Sequence, residues 1–274
     1  MNFRSVAILA IILLLSAGLF SHHYILVPDK FIYQKGDSLT VHLMVGEPFD
    51  FEFERELQHQ MTPHFMLYSK MDSTNLLLLT ADSIKPILRT IVNFEGLALI
   101  EMQRTASTIE QKRGAFKKYL EEEKITTISF DSTKYKKDVV KENYSRCIKS
   151  LITSGKPGNE NLYNRVVGQR LEILLMSNPY LMEPNQKLIV KVLWEGKPLA
   201  SQWITSAVKN NDGSVKEISA LTDKKGMAAF DVAMNTVYYL HTIYMLKLKE
   251  NATADYESIW ASYSFQTAPK KSDQ

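Results

Sequence analysis

Six histidines carry the widest chemical choice in this sequence, and two of them, His22 and His23, stand side by side just after a long apolar run. A cut after Ser21 would give His22 what an internal histidine lacks, a free α-amino group and an imidazole on one residue, able to chelate one metal ion. Amine and imidazole have ordinary pKa values of about 7.7–8.0 and about 6.5, so both shed their protons cheaply near neutral pH. Nitrogen donors of this kind suit Cu(II), Ni(II), Co(II) or Zn(II). His23 adds a second imidazole, but adjacent side chains on an extended strand point to opposite faces. His22 is therefore the lead ligand and His23 an optional one, against the plainer reading of a polar, frayed start.

Other candidate ligands are more scattered. His42 shares a strand face with Met44, where a lone histidine more often hydrogen-bonds within its sheet. His59 and His64 flank Met61-Thr62-Pro63, and His241 lies in the aromatic run Tyr238 to Met245. Asp255 and Glu257 alternate on an extended segment, so they face one way and form either a pair that holds a hard ion or orients a histidine, or a solvated strand end. The expected metal set is thus His22, His23, His42, His241, Asp255 and Glu257. Glu121-Glu122-Glu123 reads as a solvated helix end. Arg146 and Lys149, on one helical face, are candidates for an anion, with pairing to surface carboxylates the better explanation. Tyr238, Tyr239, Tyr244, Tyr256, Trp260 and Tyr263 offer a sugar-stacking platform, although a period-two strand hides half of them. There is no Gly-x-Ser-x-Gly, HExxH, P-loop or Rossmann fingerprint, so neither an enzyme nor an organic cofactor is expected.

The elements that must position these groups are mostly strands. Leu39, Val41, Leu43 and Val45 alternate with Thr40, His42 and Met44 after a Gly36-Asp37 turn, which is the signature of a half-buried strand. His64 to Ser69, Leu76 to Thr80 and Leu97 to Met102 read as further strands of an antiparallel sheet. Two amphipathic helices are expected within this pattern. Ser107 to Glu123 carries Ile109, Phe116, Tyr119 and Leu120 on one face; Lys136 to Ser154 carries Val140, Tyr144, Cys147, Ile148, Leu151 and Ile152 at three- and four-residue steps, with Gly155 as a stop. Beyond Leu171 to Met176 the chain turns repeatedly, at Glu195 to Pro198, Asn210 to Gly213 and Thr222 to Gly226. Strands are expected at Gln202 to Val208, Met227 to Val232, Val237 to Lys247 and Ser258 to Phe265, the spacing of a β-sandwich.

Length and composition bound the rest. The 274 residues are 45% hydrophobic and 23% charged, enough for one large or two small cores and too apolar for a disordered chain. One cysteine, Cys147, excludes a disulfide scaffold and a cysteine-built zinc or iron–sulfur centre. The formal charge of +3 gives no basic stripe for nucleic acid. Arg4 precedes an uncharged run from Val6 to Phe20, which is short for a membrane-spanning helix and laid out as a signal peptide. Export with cleavage at Ser21 is expected, giving a periplasmic or otherwise exported protein; an inner-membrane anchor at 6–20 is the rival, favoured by the large Leu19 before the cut. Removal of 1–21 leaves 32 basic against 30 acidic groups. The expected organisation is a signal peptide (1–21), an N-terminal β-rich domain (22–175) containing both helices, a C-terminal β-sandwich (176–267) and a polar tail (268–274).

Four blocks stand in order: HHYILVPDKFIYQKGDSLTVHLMVGEPF at the start of the mature chain, Glu142 to Arg146 with Lys149, Leu181 to Ala200 with its Gly-Lys-Pro-Leu-Ala, and Asp255 to Ser258 with Trp260, Ala261 and Phe265. Together they resemble the exported DUF4198 family. The resemblance implies a mainly β envelope protein of two Ig-like or transthyretin-like sandwich modules. It also implies an association with nickel or cobalt uptake, hence a metal ion and a membrane transport system as partners. In the family's usual pattern a histidine stands where Tyr244 is and often a basic residue where His241 is, so a potential ligand is moved or lost here. The expected function is non-enzymatic binding of nickel, cobalt or copper for uptake or buffering. The alternative is an envelope adhesion or carbohydrate-binding module.

Overall fold

The computed structural model describes residues 22–158, 160–210, 212–249 and 253–268. The signal-peptide and anchor readings of 1–21, and nearly all of the expected tail, lie outside these residues. No helix among the described residues is long and apolar enough to cross a membrane.

The chain is mostly β. The first half runs β1 (His23–Pro28), β2 (Ile32–Tyr33), β3 (Ser38–Glu47), β4 (Asp50–Arg55), β5 (His64–Ser69), β6 (Ser73–Asn75), β7 (Leu88–Ile91), β8 (Gly96–Lys112), α1 (Arg113–Glu122) and β9 (Val139–Ser154). The second continues with β10 (Leu171–Leu175), β11 (Lys187–Trp194), β12 (Lys197–Pro198), β13 (Trp203–Lys209), β14 (Val215–Leu221), β15 (Met227–Asp231), β16 (Val237–Lys247) and β17 (Tyr256–Gln266). They build three sheets. The central one has the order β14-β13-β16-β17-β9-β8-β5-β6, with β2 added on β9. A sheet of β1, β3, β4 and β7 covers one of its faces, and a sheet of β10, β11, β12 and β15 covers the other.

Alternation along β8 and β9 explains how one sheet serves two sandwiches. On β8, Ala98, Ile100 and Met102 face the core shared with Leu39, Val41 and Leu43 of β3, while Leu97 and Leu99 face the core shared with Ile173 of β10 and Val190 of β11. β9 behaves likewise, sending Ile148 and Ile152 one way and Cys147 and Leu151 the other. Each fully buried aliphatic side chain contributes about 1.5–3 kcal/mol. Cys147 is inert core, its thiol pushed up to about 11 by burial.

The mainly β sandwich fold expected from the sequence is present, with three corrections. Lys136 to Ser154 is not a helix but strand β9 from Val139 onward. A strand buried on both faces has no polar face to alternate, and its neighbours 147/148 and 151/152 imitate helical spacing. Only Arg113–Glu122 of the expected first helix is helical; Ser107 to Lys112 continues β8, where β-branched Thr108 and Ile109 pair with Asn143 and Glu142. Leu76–Leu78 is a 3-10 turn capped by the Asn75 side chain rather than a strand. Two parallel pairings, β17 on β9 and β2 on β9, interrupt the antiparallel pattern. The first of these carries one sheet across the boundary expected at 175/176.

Candidate metal centre

Three elements converge on one cleft. β1 crosses the face of the central sheet, held there by Ser262 and Ser264 of β17, whose hydroxyls donate to the Tyr24 and Leu26 carbonyls at 2.6 Å each. That clamp lays His23 over His241 of β16, with ring centroids 4.0 Å apart, and the edge of Trp260 closes against His23 at 5.1 Å. Both histidines are buried, 3% and 8% exposed.

The third group, Glu123, is delivered by the end of α1. The helix stops in a Schellman arrangement: Lys124 takes a left-handed φ of 53° and donates from its amide to Glu121, and the Ile125 amide reaches back to Leu120 at 2.8 Å. Ile125 is buried against α1, which fixes the turn. Glu123 is the residue at the cap, and its carboxylate oxygen lies 3.6 Å from Nε2 of His23. One ligand atom each from His23, Glu123 and His241 falls within 4.8 Å of the other two.

The cleft around them, about 450 Å³, is rimmed by His22 and by Glu47, Glu52, Glu122 and Glu217. The β3–β4 pairing bulges at Val45/Gly46, opposite His23, where Glu52 is the extra residue on β4 and lines the opening. Gly46 has a φ of 138°, and a Cβ there would meet the Glu52 amide nitrogen at 2.7 Å, so only glycine fits the bulge. Glu47 lies 4.0 Å from Nε2 of His23.

Burial sets the charge states. It is the main force holding His241 down to about 4 and His23 well below its usual value, with His241 and Arg146 adding to the depression of His23. Burial, then Glu47, Glu217 and Glu122, pushes the Glu123 carboxyl up to about 8. At neutral pH the three groups are two neutral imidazoles and a carboxylic acid. Nε2 of His241 is buried with no hydrogen-bond partner among the described residues. A neutral imidazole with an unused ring nitrogen is a metal ligand in waiting, and two nitrogens plus one carboxylate oxygen suit a divalent first-row transition ion. Ligand atoms around such an ion lie about 3–4 Å apart for bonds of about 2.0–2.2 Å, a modest contraction of the present geometry.

The residues expected from sequence divide cleanly. His23 and His241 meet. His22 lines the same cleft, with Nε2 3.3 Å from Glu52 and Nδ1 buried without a partner among the described residues, but its imidazole is outside the three-residue cluster. The α-amino chelate at His22 depends on a cut at Ser21, outside the described residues. His42 is elsewhere, its two ring nitrogens facing Glu54 at 2.7 Å and Asp29 at 3.0 Å. Asp255 binds Lys137 at 2.5 Å and the Lys141 amide at 2.9 Å, and Glu257 takes Arg170 in a two-pronged contact at 2.6 and 3.2 Å. Neither acid faces the histidines. Glu123 is the residue that sequence reasoning misses, and its only local signal is its place at a helix end. Of the expected aromatic platform, Tyr238, Tyr239, Tyr256, Trp260 and Tyr263 are buried in the cores, and half-buried Tyr244 packs on Trp194.

A model of a domain of unknown function, DUF4198, matches residues 19–246. No functionally curated protein matches the chain. Among solved structures, the D0-D1 domain of intimin is similar over 88% of this chain and 97% of that one, at 10% identity and a TM-score of 0.21, too low a likeness to carry an argument.

Proposed function

Since the chain belongs to the DUF4198 family, whose function is unassigned, we propose its role from the cleft: a non-enzymatic protein that binds nickel, cobalt or copper through His23, His241 and Glu123. The observation that carries this reading is the unpartnered Nε2 of His241, buried beside a second neutral imidazole and a carboxyl group. A buried polar atom left without a partner costs about 1–3 kcal/mol, and a metal ion would recover that cost. The glutamates on the rim raise the local cation concentration. Binding displaces the proton that Glu123 holds at neutral pH.

A carrier fits better than a catalyst because the hydroxyls lining the cleft are already engaged, Thr242 with the Trp203 carbonyl at 2.6 Å and Thr205 with Ser219 at 2.9 Å. Delivery to an uptake system, or buffering, in the cell envelope is part of the proposal. The signal-peptide layout of 1–21 and the family resemblance support it.

Isothermal titration of the purified protein with Ni(II), Co(II) and Cu(II) tests the site. His241→Ala and Glu123→Gln are expected to weaken the preferred ion by about 100-fold each, with His22→Ala costing less. Unchanged affinity in His241→Ala would overturn the reading.

A further inference from the structure

A second group of buried side chains lies behind β1, and its chemistry is the opposite of the cleft's. Arg104 and Arg146 face each other across β8 and β9, at the bulge that follows Arg104, and each is 6% exposed. Arg55 of β4 joins them. None of the three has a carboxylate within ion-pair distance among the described residues. Burial lowers the pKa of Arg104, and the charges of Arg146 and Arg55 lower it further, so the guanidiniums are close enough to repel.

Aromatic rings offset part of this cost. The Arg146 guanidinium sits 3.7 Å from the Tyr24 ring centre and 4.5 Å from that of Tyr144, and Arg104 lies 5.6 Å from Tyr24. Arg146 donates to the His22 carbonyl at 3.2 Å, but hydrogen bonding is incomplete all the same, for the Nε atoms of Arg146 and Arg55 are buried without partners among the described residues. The arrangement has a focus. Arg104 donates to Oε1 of Gln58 at 2.7 Å and Arg55 donates to the same oxygen at 3.4 Å. A neutral amide oxygen thus occupies a point where two guanidiniums converge, and such a fork is the usual seat of a carboxylate or phosphate oxygen.

We propose that Arg55, Arg104 and Gln58 form a binding site for a small oxyanion, which takes the place of the Gln58 amide oxygen, with Arg146 as the charge behind it. Access is from the side of Arg55 and Gln58, both half-exposed. The ligand class is an inorganic phosphate-type dianion or a small carboxylate.

The test is thermal unfolding of metal-free protein in phosphate, in acetate and in sodium chloride of matched ionic strength. Phosphate or acetate at ten times its dissociation constant is expected to raise the Tm by about 3–6 °C over chloride, and the responding anion identifies the class. Gln58→Glu supplies the missing carboxylate internally, so it should raise the Tm of the anion-free protein and abolish the response. Arg55→Gln, at a half-exposed position that tolerates change, should shrink the response. No shift beyond chloride in the wild type, or an undiminished shift in both variants, would overturn the proposal.

Discussion

Two of the buried sets of ionisable groups on the central sheet are treated in opposite ways. On β9, the Lys149 ammonium, 1% exposed, is saturated: it donates to Glu172 at 2.6 Å, to the Arg165 carbonyl at 3.2 Å and to the Ile173 carbonyl at 3.3 Å. At the cleft, His241 has a ring nitrogen with no partner and Glu123 holds a proton against its usual tendency. Most buried polar groups whose task is structural find hydrogen-bond partners within the chain. An unpartnered atom alone does not mark a ligand site, since Glu172 Oε2 and the hydroxyls of Ser150 and Ser154 are also buried without partners among the described residues; what sets the cleft apart is that the unpartnered nitrogen of His241 lies beside a second imidazole and a carboxyl group.

The strongest way to break that contrast is to damage the structural side. Lys149→Met removes one partner of a buried pair and leaves Glu172, fully buried, without its counter-charge. A loss of about 3–5 kcal/mol in unfolding free energy is expected, measured by denaturant titration. Metal affinity of the fraction that remains folded should not change. A variant that lost affinity with little loss of stability would place Lys149 on the functional side and dissolve the distinction.

What the amino-acid sequence makes legible follows the same division. Strands with one wet face announce themselves through alternation, as β3 and β11 do, because a period of two is a direct record of one-sided burial. β9 reads as a helix because both its faces are covered, and a strand flanked by two sheets records no side at all. His23 and His241 are recognisable as donors, yet nothing in the sequence says that they meet: their contact depends on Ser262 and Ser264 pinning β1 across β17, from positions 238 residues away along the chain. Glu123 is illegible for a related reason. Its neighbours Glu121 and Glu122 are exposed as a helix end should be, and only the turn at Lys124, together with Glu47 and Glu217 arriving from β3 and β14, sets Glu123 apart.

A smaller effect sharpens the functional side. In the metal-free protein the Glu123 carboxyl lies at about 8, raised from 4.5. The sign follows from linkage: its contribution to stability is complete below about pH 4.5, and is lost as the pH climbs through about 8. His241, lowered from 6.5 to about 4, works in the other direction: stability it supplies above 6.5 is lost as the pH falls through 4. Glu123→Gln removes the alkaline loss and is expected to exceed the wild type by on the order of 2 kcal/mol at pH 9, with the two curves meeting near pH 4. Parallel curves across that range would show that Glu123 is solvated in the free protein.

The smallest effects belong to the acids and the histidine that the sequence suggests and the fold sends elsewhere. Asp255 and Glu257 lie against Lys137 and Arg170 at partly exposed positions, where one ion pair is worth about 0.2–1 kcal/mol. Asp255→Asn, Glu257→Gln and His42→Ala should each leave metal affinity within about twofold of the wild type, since none of the three belongs to the three-residue cluster or lines its cleft. Isothermal titration of the three variants beside His241→Ala supplies the comparison. If Glu257→Gln weakened binding as much as His241→Ala does, the ion would have to sit at the Arg170 end of β17, and the unpartnered nitrogen of His241 would need another explanation.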